Sequence, residues 1–128
     1  MNTVHVDEAE QATAPDGSLV HLLTSVGGAG TAVFELQAGQ VARPVRHPRV
    51  EECWYVLSGR GRMWRRPVIG DAILTDLVPG VSLSIPRDTS FQFRADEEPL
   101  RILGVTSPRW SGQEDAEVLD EGAWPVNL

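Results

Sequence analysis

The sequence has little positive charge, only one cysteine and no long apolar run. Its 11 basic residues are all arginine and are outnumbered by 18 acidic residues, so the formal net charge is −7. An acidic chain has no electrostatic attraction for phosphates, so we expect no nucleic-acid partner. The lone Cys53 excludes an internal disulfide bond. No apolar stretch approaches the roughly 20 residues that span a bilayer, so we expect no membrane partner.

The N-terminal residues 1–8 lack the basic start and the apolar run of a secretory signal peptide. Together with the missing disulfide, this favours a cytoplasmic protein. The length of 128 residues is close to the commonest size of a single domain, which can bury one core without disulfides or metals.

Segments longer than two turns with helical periodicity are also missing, and short apolar runs between turn residues take their place. Many short strands with regular turn signals predict an all-β sandwich or barrel. We expect an N-terminal arm at 1–16, a barrel at 17–108 and an acidic C-terminal tail at 109–128 packed on the barrel. The predicted strands are 19–24, 31–36, 41–47, 53–57, 60–66, 72–77, 81–85, 90–94 and 100–105.

The stretch 39–59 resembles the first motif of the cupin family. That motif is a Gly, five residues, His-x-His, three or four residues, Glu, six residues and Gly, and this chain matches its spacing at Gly39, His47, Glu52 and Gly59. The resemblance implies a single jelly-roll β-barrel of two antiparallel sheets. It also implies a homodimer, because small cupins commonly pair through sheet edges.

A second cupin motif is present in outline, at Gly80 and Pro86, although Phe91 stands where the family usually has His. Cupins generally bind a divalent metal through three His and one Glu, and the resemblance places Val45, His47, Glu52 and Phe91 at those positions. Two of the four ligand positions therefore carry apolar side chains that cannot bind a metal, whereas catalytic metal sites generally keep three protein ligands. We expect no cofactor, and a divalent metal held by His47 and Glu52 is the alternative.

Strand alternation predicts which side chains face the barrel interior, because successive residues point to opposite faces. If Glu52 points inward, so do the residues two and four positions later, and the same rule applies to the other motif strands. The predicted pocket is apolar and aromatic, with one imidazole and one carboxyl group. Its predicted wall comprises Val45, His47, Glu52, Trp54, Val56, Phe91 and Phe93.

The basic run 60–66 offers an arginine that could enter the barrel and bind a substrate carboxylate or phenolate. Strand parity leaves two options: either Arg62 and Trp64 face inward, or Met63 and Arg65 do. Arg62 and Met63 are therefore both candidate substrate contacts.

The pocket and the resemblance together predict a small-molecule enzyme. An apolar, aromatic or polyketide-like substrate would bind in the barrel, and His47 and Glu52 would transfer protons in an isomerisation, cyclisation, dehydration or lyase step without a metal. Small cupins of bacterial secondary metabolism are the family precedent.

Three other interpretations of the pair stay open. The chain could be a metal-dependent oxygenase or isomerase with a reduced ligand set, or a binding module that performs no chemistry. The pair could also be a buried remnant of a lost metal site. Trp110 and Trp124 are expected to anchor the tail on the outside of the barrel or on a partner subunit, with a lid over the pocket mouth as the alternative.

Overall fold

The computed structural model describes residues 1–110 and 115–128, so positions 111–114 of the expected tail lie outside the described residues. Within the described part, a short 3-10 helix at Val6–Glu8 precedes eleven strands. The strands are β1 Glu10–Thr13, β2 Leu19–Val26, β3 Ala29–Leu36, β4 Val45–Arg46, β5 Glu51–Ser58, β6 Gly61–Arg66, β7 Ile73–Leu77, β8 Ser82–Ile85, β9 Ser90–Ala95, β10 Leu100–Ser107 and β11 Glu117–Val118.

The strands form two antiparallel sheets, which confirms the predicted fold class. The six-stranded sheet has the order β1-β2-β3-β10-β5-β8, and the five-stranded sheet has the order β11-β4-β9-β6-β7. One apolar core joins them, with Leu36, Trp54 and Ile102 from the first sheet and Met63 and Phe93 from the second. None of the described helices is long and apolar enough to cross a membrane.

Strand β5 shows why the sheets face each other across this core. Its residues alternate between buried and exposed, with Glu52, Trp54 and Val56 buried and their neighbours exposed. An alternation of period two gives a strand one apolar face, which must be covered by a second layer.

The turn after β5 requires the last glycine of the motif. Gly59 has φ +83°, and a Cβ built on it would lie 2.1 Å from the carbonyl oxygen of Pro99. A side chain would be strained in this conformation and would collide with the main chain. The motif glycine therefore allows β5 to turn tightly into β6.

The hairpin of β6 and β7 shows which residues of the basic run 60–66 face the interior. Met63 is fully buried, whereas Arg62 lies on the outer face with its Nε 3.1 Å from Asp76 Oδ1. Arg65 shares the face of Met63, but its guanidinium donates to the Ser84 carbonyl oxygen and to Thr75 Oγ1.

Both ends of the chain contribute to this architecture. The segment expected as an N-terminal arm contributes β1 to the edge of the six-stranded sheet. At the other end, β11 pairs with β4, and the last residues cover the outer face of β9. There the buried Gln92 accepts hydrogen bonds from the main-chain N–H groups of Ala123 and Trp124, and the Arg94 guanidinium lies 4.7 Å from the Trp124 ring centroid.

Candidate active site

A small cavity lies between the sheets, beside the residues of the first motif. Apolar and aromatic side chains form most of its wall: Val20, Phe34, Val45, Trp54, Phe91 and Trp110. Its volume is about 30 Å³, which holds one or two water molecules. A groove of about 430 Å³ adjoins it, and the two spaces share Val20, Phe34, Thr106 and Trp110. A substrate larger than a few atoms therefore does not fit in the cavity alone.

His47 and Glu52 both line this cavity and are 8% and 6% exposed. Nε2 of His47 lies 3.6 Å from Oε2 of Glu52, which is too long for a direct hydrogen bond. The other carboxyl oxygen, Oε1, accepts a hydrogen bond of 3.2 Å from the Trp54 indole N–H. The carboxyl group is therefore oriented by Trp54, and one of its oxygens faces the imidazole.

The tail orients the other side of the imidazole. Nδ1 of His47 lies 2.8 Å from the main-chain carbonyl oxygen of Asp115. A carbonyl oxygen can only accept, so Nδ1 must carry the proton of this hydrogen bond, and Nε2 of the neutral ring is an acceptor. The basic nitrogen of His47 is thereby directed at Glu52.

Burial raises the pKa of the Glu52 carboxyl above its ordinary value of 4.5. A positive charge on His47 and the Trp54 N–H oppose this shift, and a negative charge on Asp16 adds to it. The net direction is upward, so Glu52 keeps its proton at a pH where an exposed glutamate has lost it.

Asp16 is a third titratable group in the cavity, and the sequence analysis missed it. It lies in the turn between β1 and β2, it is 7% exposed, and burial raises its pKa as well. Its Oδ1 accepts hydrogen bonds from the Ser18 N–H at 2.9 Å and from Ser18 Oγ at 2.6 Å. Such a local turn is ordinary for Asp-Gly-Ser, so only the three-dimensional position of Asp16 reveals it as part of the site.

Phe91 lies where the motif would place the third histidine. Its ring stacks on the His47 imidazole, with centroids 5.6 Å apart and planes at 20°, and Val45 pairs with it from the adjacent strand. The side chains of Val45 and Phe91 are each about 2% exposed. Among the described residues, no three His, Cys, Asp or Glu side chains are grouped so that they could hold a metal ion. The residues present therefore do not fit the metal of the motif.

The other predicted contacts fall into three groups. Those that line the cavity with His47 and Glu52 are Val45, Trp54 and Phe91. Those that are buried in the core without lining the cavity are Val56, Met63 and Phe93. Arg62 turns outward to Asp76 and lies outside the cavity, because the inward positions of β6 are the odd-numbered ones.

Comparison with solved structures places this fold among proteins of known architecture. KdgF from Halomonas sp. shares 19% identity, with a TM-score of 0.72 over 85% of this chain and 96% of that one. Pac13, described as a nucleoside dehydratase and also solved from Streptomyces with uridine, shares 15% identity, with a TM-score of 0.71 over 93% and 91%. At these identities the likeness shows the fold alone.

Oxalate decarboxylase from Bacillus subtilis shares 16% identity with a TM-score of 0.79, and the match covers 92% of this chain but only 32% of that protein. The search of curated proteins gives no significant match. A family model described as "Cupin domain" matches residues 32–106, which is more than half of the chain. The chain therefore belongs to the cupin family.

Proposed function

We propose that this cupin is a small-molecule enzyme that performs acid–base chemistry without a metal, with His47 as the base and Glu52 as the acid. The observation that carries the proposal is the arrangement around His47. Its Nδ1–H is held by the Asp115 carbonyl oxygen, so Nε2 is free to accept a proton beside a carboxyl group whose pKa is raised. A base and an acid in adjacent positions are what general acid–base catalysis requires.

These two groups suit an elimination of water. His47 Nε2 would take a proton from a carbon, and protonated Glu52 would give its proton to a hydroxyl group on the neighbouring carbon. The C–H and C–O bonds break, a C=C bond forms and water leaves. The proton now on His47 then returns to Glu52 through the space between Nε2 and Oε2, which restores both groups.

The comparisons favour dehydration as the first of the predicted reaction types to test. Pac13 has nearly the same length, superposes over 93% of this chain and is described as a nucleoside dehydratase. The apolar wall and the adjoining groove support a substrate with an apolar or aromatic part. We further propose that the protein is cytoplasmic and homodimeric and that it acts in bacterial secondary metabolism.

The test is a turnover assay on uridine, other nucleosides and small hydroxylated ring compounds, with loss of water followed by mass spectrometry. For any compound that is converted, Glu52→Gln should abolish turnover although the variant still binds the compound, because Gln keeps the shape and a hydrogen-bonding group but cannot donate the acid proton. The matched control is Glu51→Gln, which removes the exposed neighbouring carboxylate and should leave turnover intact. Full turnover by the Glu52→Gln variant would contradict the proposal.

A further inference from the structure

The two hydrogen bonds of the turn at Asp16 engage only one of its carboxyl oxygens. Oδ1 accepts both hydrogen bonds from Ser18, and neither of them goes to Oδ2. The side chain lines the same cavity as His47 and Glu52. Because buried carboxyl groups normally have hydrogen-bond partners, Oδ2 is the oxygen of Asp16 that suits a ligand in the cavity.

The charged and titratable groups around Asp16 come from three parts of the fold. His47 follows β4, and its positive charge lowers the pKa of Asp16. Glu52 lies on β5, and the negative charge of Asp16 raises the pKa of Glu52. Arg43 also lowers the pKa of Asp16 electrostatically, and its guanidinium donates a hydrogen bond to the carbonyl oxygen of Leu128. Among the described lining residues of the cavity there is no arginine.

We propose that Asp16 and Glu52 form a two-carboxyl site that binds the hydroxyl group of an uncharged substrate and rejects anionic ones. The inference rests on the proposed function, because it names the class of substrate for that same cavity. A hydroxyl group can donate to a carboxylate and can accept from a protonated carboxyl group, so it satisfies either state of Asp16 and Glu52. An anion would be buried beside two carboxyl groups, and no arginine among the described residues lines the cavity to pair with it.

The shape of the site adds a second requirement. The cavity of about 30 Å³ has room for a hydroxyl group and its carbon, and we place the remainder of the substrate in the groove of about 430 Å³, which shares walls with the cavity. Phe34 and Trp110 form walls of both spaces, so the part of the substrate next to the reacting carbon packs against aromatic rings. For the part of the substrate that enters the cavity, these walls favour an uncharged alcohol next to an apolar or planar ring, whereas the wall of the groove includes Arg109.

The experiment compares two probes with the same ring, benzyl alcohol and benzoate, near neutral pH. Binding is followed by the NMR shift of the Trp54 indole N–H, which is hydrogen-bonded to Glu52. We expect the protein to bind benzyl alcohol roughly tenfold or more tightly than benzoate, because no described arginine lines the cavity to pair with a buried carboxylate and an ionised Asp16 or Glu52 would repel it. Equal or tighter binding of benzoate, or no binding of benzyl alcohol, would overturn the proposal.

The role of Asp16 is tested by Asp16→Asn, which keeps an oxygen for the hydrogen bonds from Ser18 and removes the carboxyl group. This variant should bind benzyl alcohol several-fold more weakly and should narrow the preference over benzoate. Asp71→Asn, a change at an exposed position in the turn between β6 and β7, is the matched control and should alter neither. An unchanged preference in Asp16→Asn would show that Asp16 has no part in recognition.

These measurements record binding only, so they separate the two proposals. If the preference for the alcohol is found and Glu52→Gln still turns over substrate, the catalytic proposal fails and the recognition site stands. If benzoate binds as well as benzyl alcohol while Glu52→Gln abolishes turnover, the recognition site fails and the catalytic proposal stands. The comparison in the unsubstituted protein needs no variant, so it remains decisive even if Asp16→Asn does not fold.

Discussion

Nδ1 of His47 is 2.8 Å from the main-chain carbonyl oxygen of Asp115, although 68 positions separate the two residues in the sequence. The contact exists because β11, which begins two residues after Asp115, pairs with β4, which ends one residue before His47. The C-terminal tail thus sets the orientation and the tautomer of the proposed base. It is part of the site as well as a cover on the outside of the barrel.

The first prediction concerns this tautomer. When the ring is neutral, ¹⁵N NMR should show His47 protonated at Nδ1 and unprotonated at Nε2, because only an N–H can pair with the carbonyl oxygen. Leu119→Pro removes the N–H that donates to the Pro44 carbonyl oxygen next to β11, and it should shift His47 toward a mixture of tautomers. A ring protonated at Nε2 in the unsubstituted protein would contradict this orientation.

The second prediction concerns the dependence of stability on pH. Burial raises the pKa of Glu52 above 4.5, so the folded protein binds its proton more tightly than the unfolded chain does. This contribution to the free energy of unfolding is complete below pH 4.5 and is lost as the pH rises through the raised pKa. Each unit by which the pKa is raised corresponds to about 1.4 kcal/mol.

Urea unfolding at a series of pH values measures this effect. Between pH 4.5 and neutrality, Glu52→Gln should lose less stability than the unsubstituted protein, because Gln has no proton to release. The Glu51→Gln variant should follow the unsubstituted protein, since Glu51 is exposed. Parallel curves for Glu52→Gln and the unsubstituted protein would show that the pKa of Glu52 is not raised on folding.

Part of this site could be predicted from the sequence, because its signals are local. The motif spacing identified His47 and Glu52, and alternation along β5 predicted that Trp54 lies on the same face as Glu52. The parity of β6 could not be predicted, since polar and apolar residues occupy both of its faces. Only the packing of Met63 into the core decides it, and this leaves Arg62 outside.

Two other parts of the site could not be predicted, for different physical reasons. Asp115 acts through its main-chain carbonyl group, which every residue has, so no residue type marks it. Asp16 precedes the motif region, and its sequence suits an ordinary turn. Its position in the cavity follows from the pairing of β1 and β2 at the edge of the six-stranded sheet, which is a long-range property of the fold.

The third prediction concerns the metal site of the family. Val45 and Phe91 occupy the two missing histidine positions and lie beside each other on β4 and β9. Val45→His with Phe91→His should therefore restore four donors and produce stoichiometric binding of Zn²⁺ or another divalent ion, measured by calorimetry. Without metal this variant should be less stable, because two more imidazoles are buried in an apolar wall. If it binds no metal, differences besides these two residues prevent metal binding.

The last prediction concerns Trp54, whose indole N–H donates to Glu52 Oε1 over 3.2 Å. A hydrogen bond to the charged form of a carboxyl group lowers its pKa, so the donor partly offsets the effect of burial on Glu52. Trp54→Phe removes the donor and keeps an aromatic ring, so the pKa of Glu52 should rise further. ¹³C NMR titration of the Glu52 carboxyl carbon measures this directly. Trp64→Phe changes a tryptophan of β6 that does not line the cavity and should leave the titration unchanged. If the pKa of Glu52 falls or stays constant in Trp54→Phe, the indole does not stabilise the carboxylate, and the orientation of the proposed acid must come from another contact.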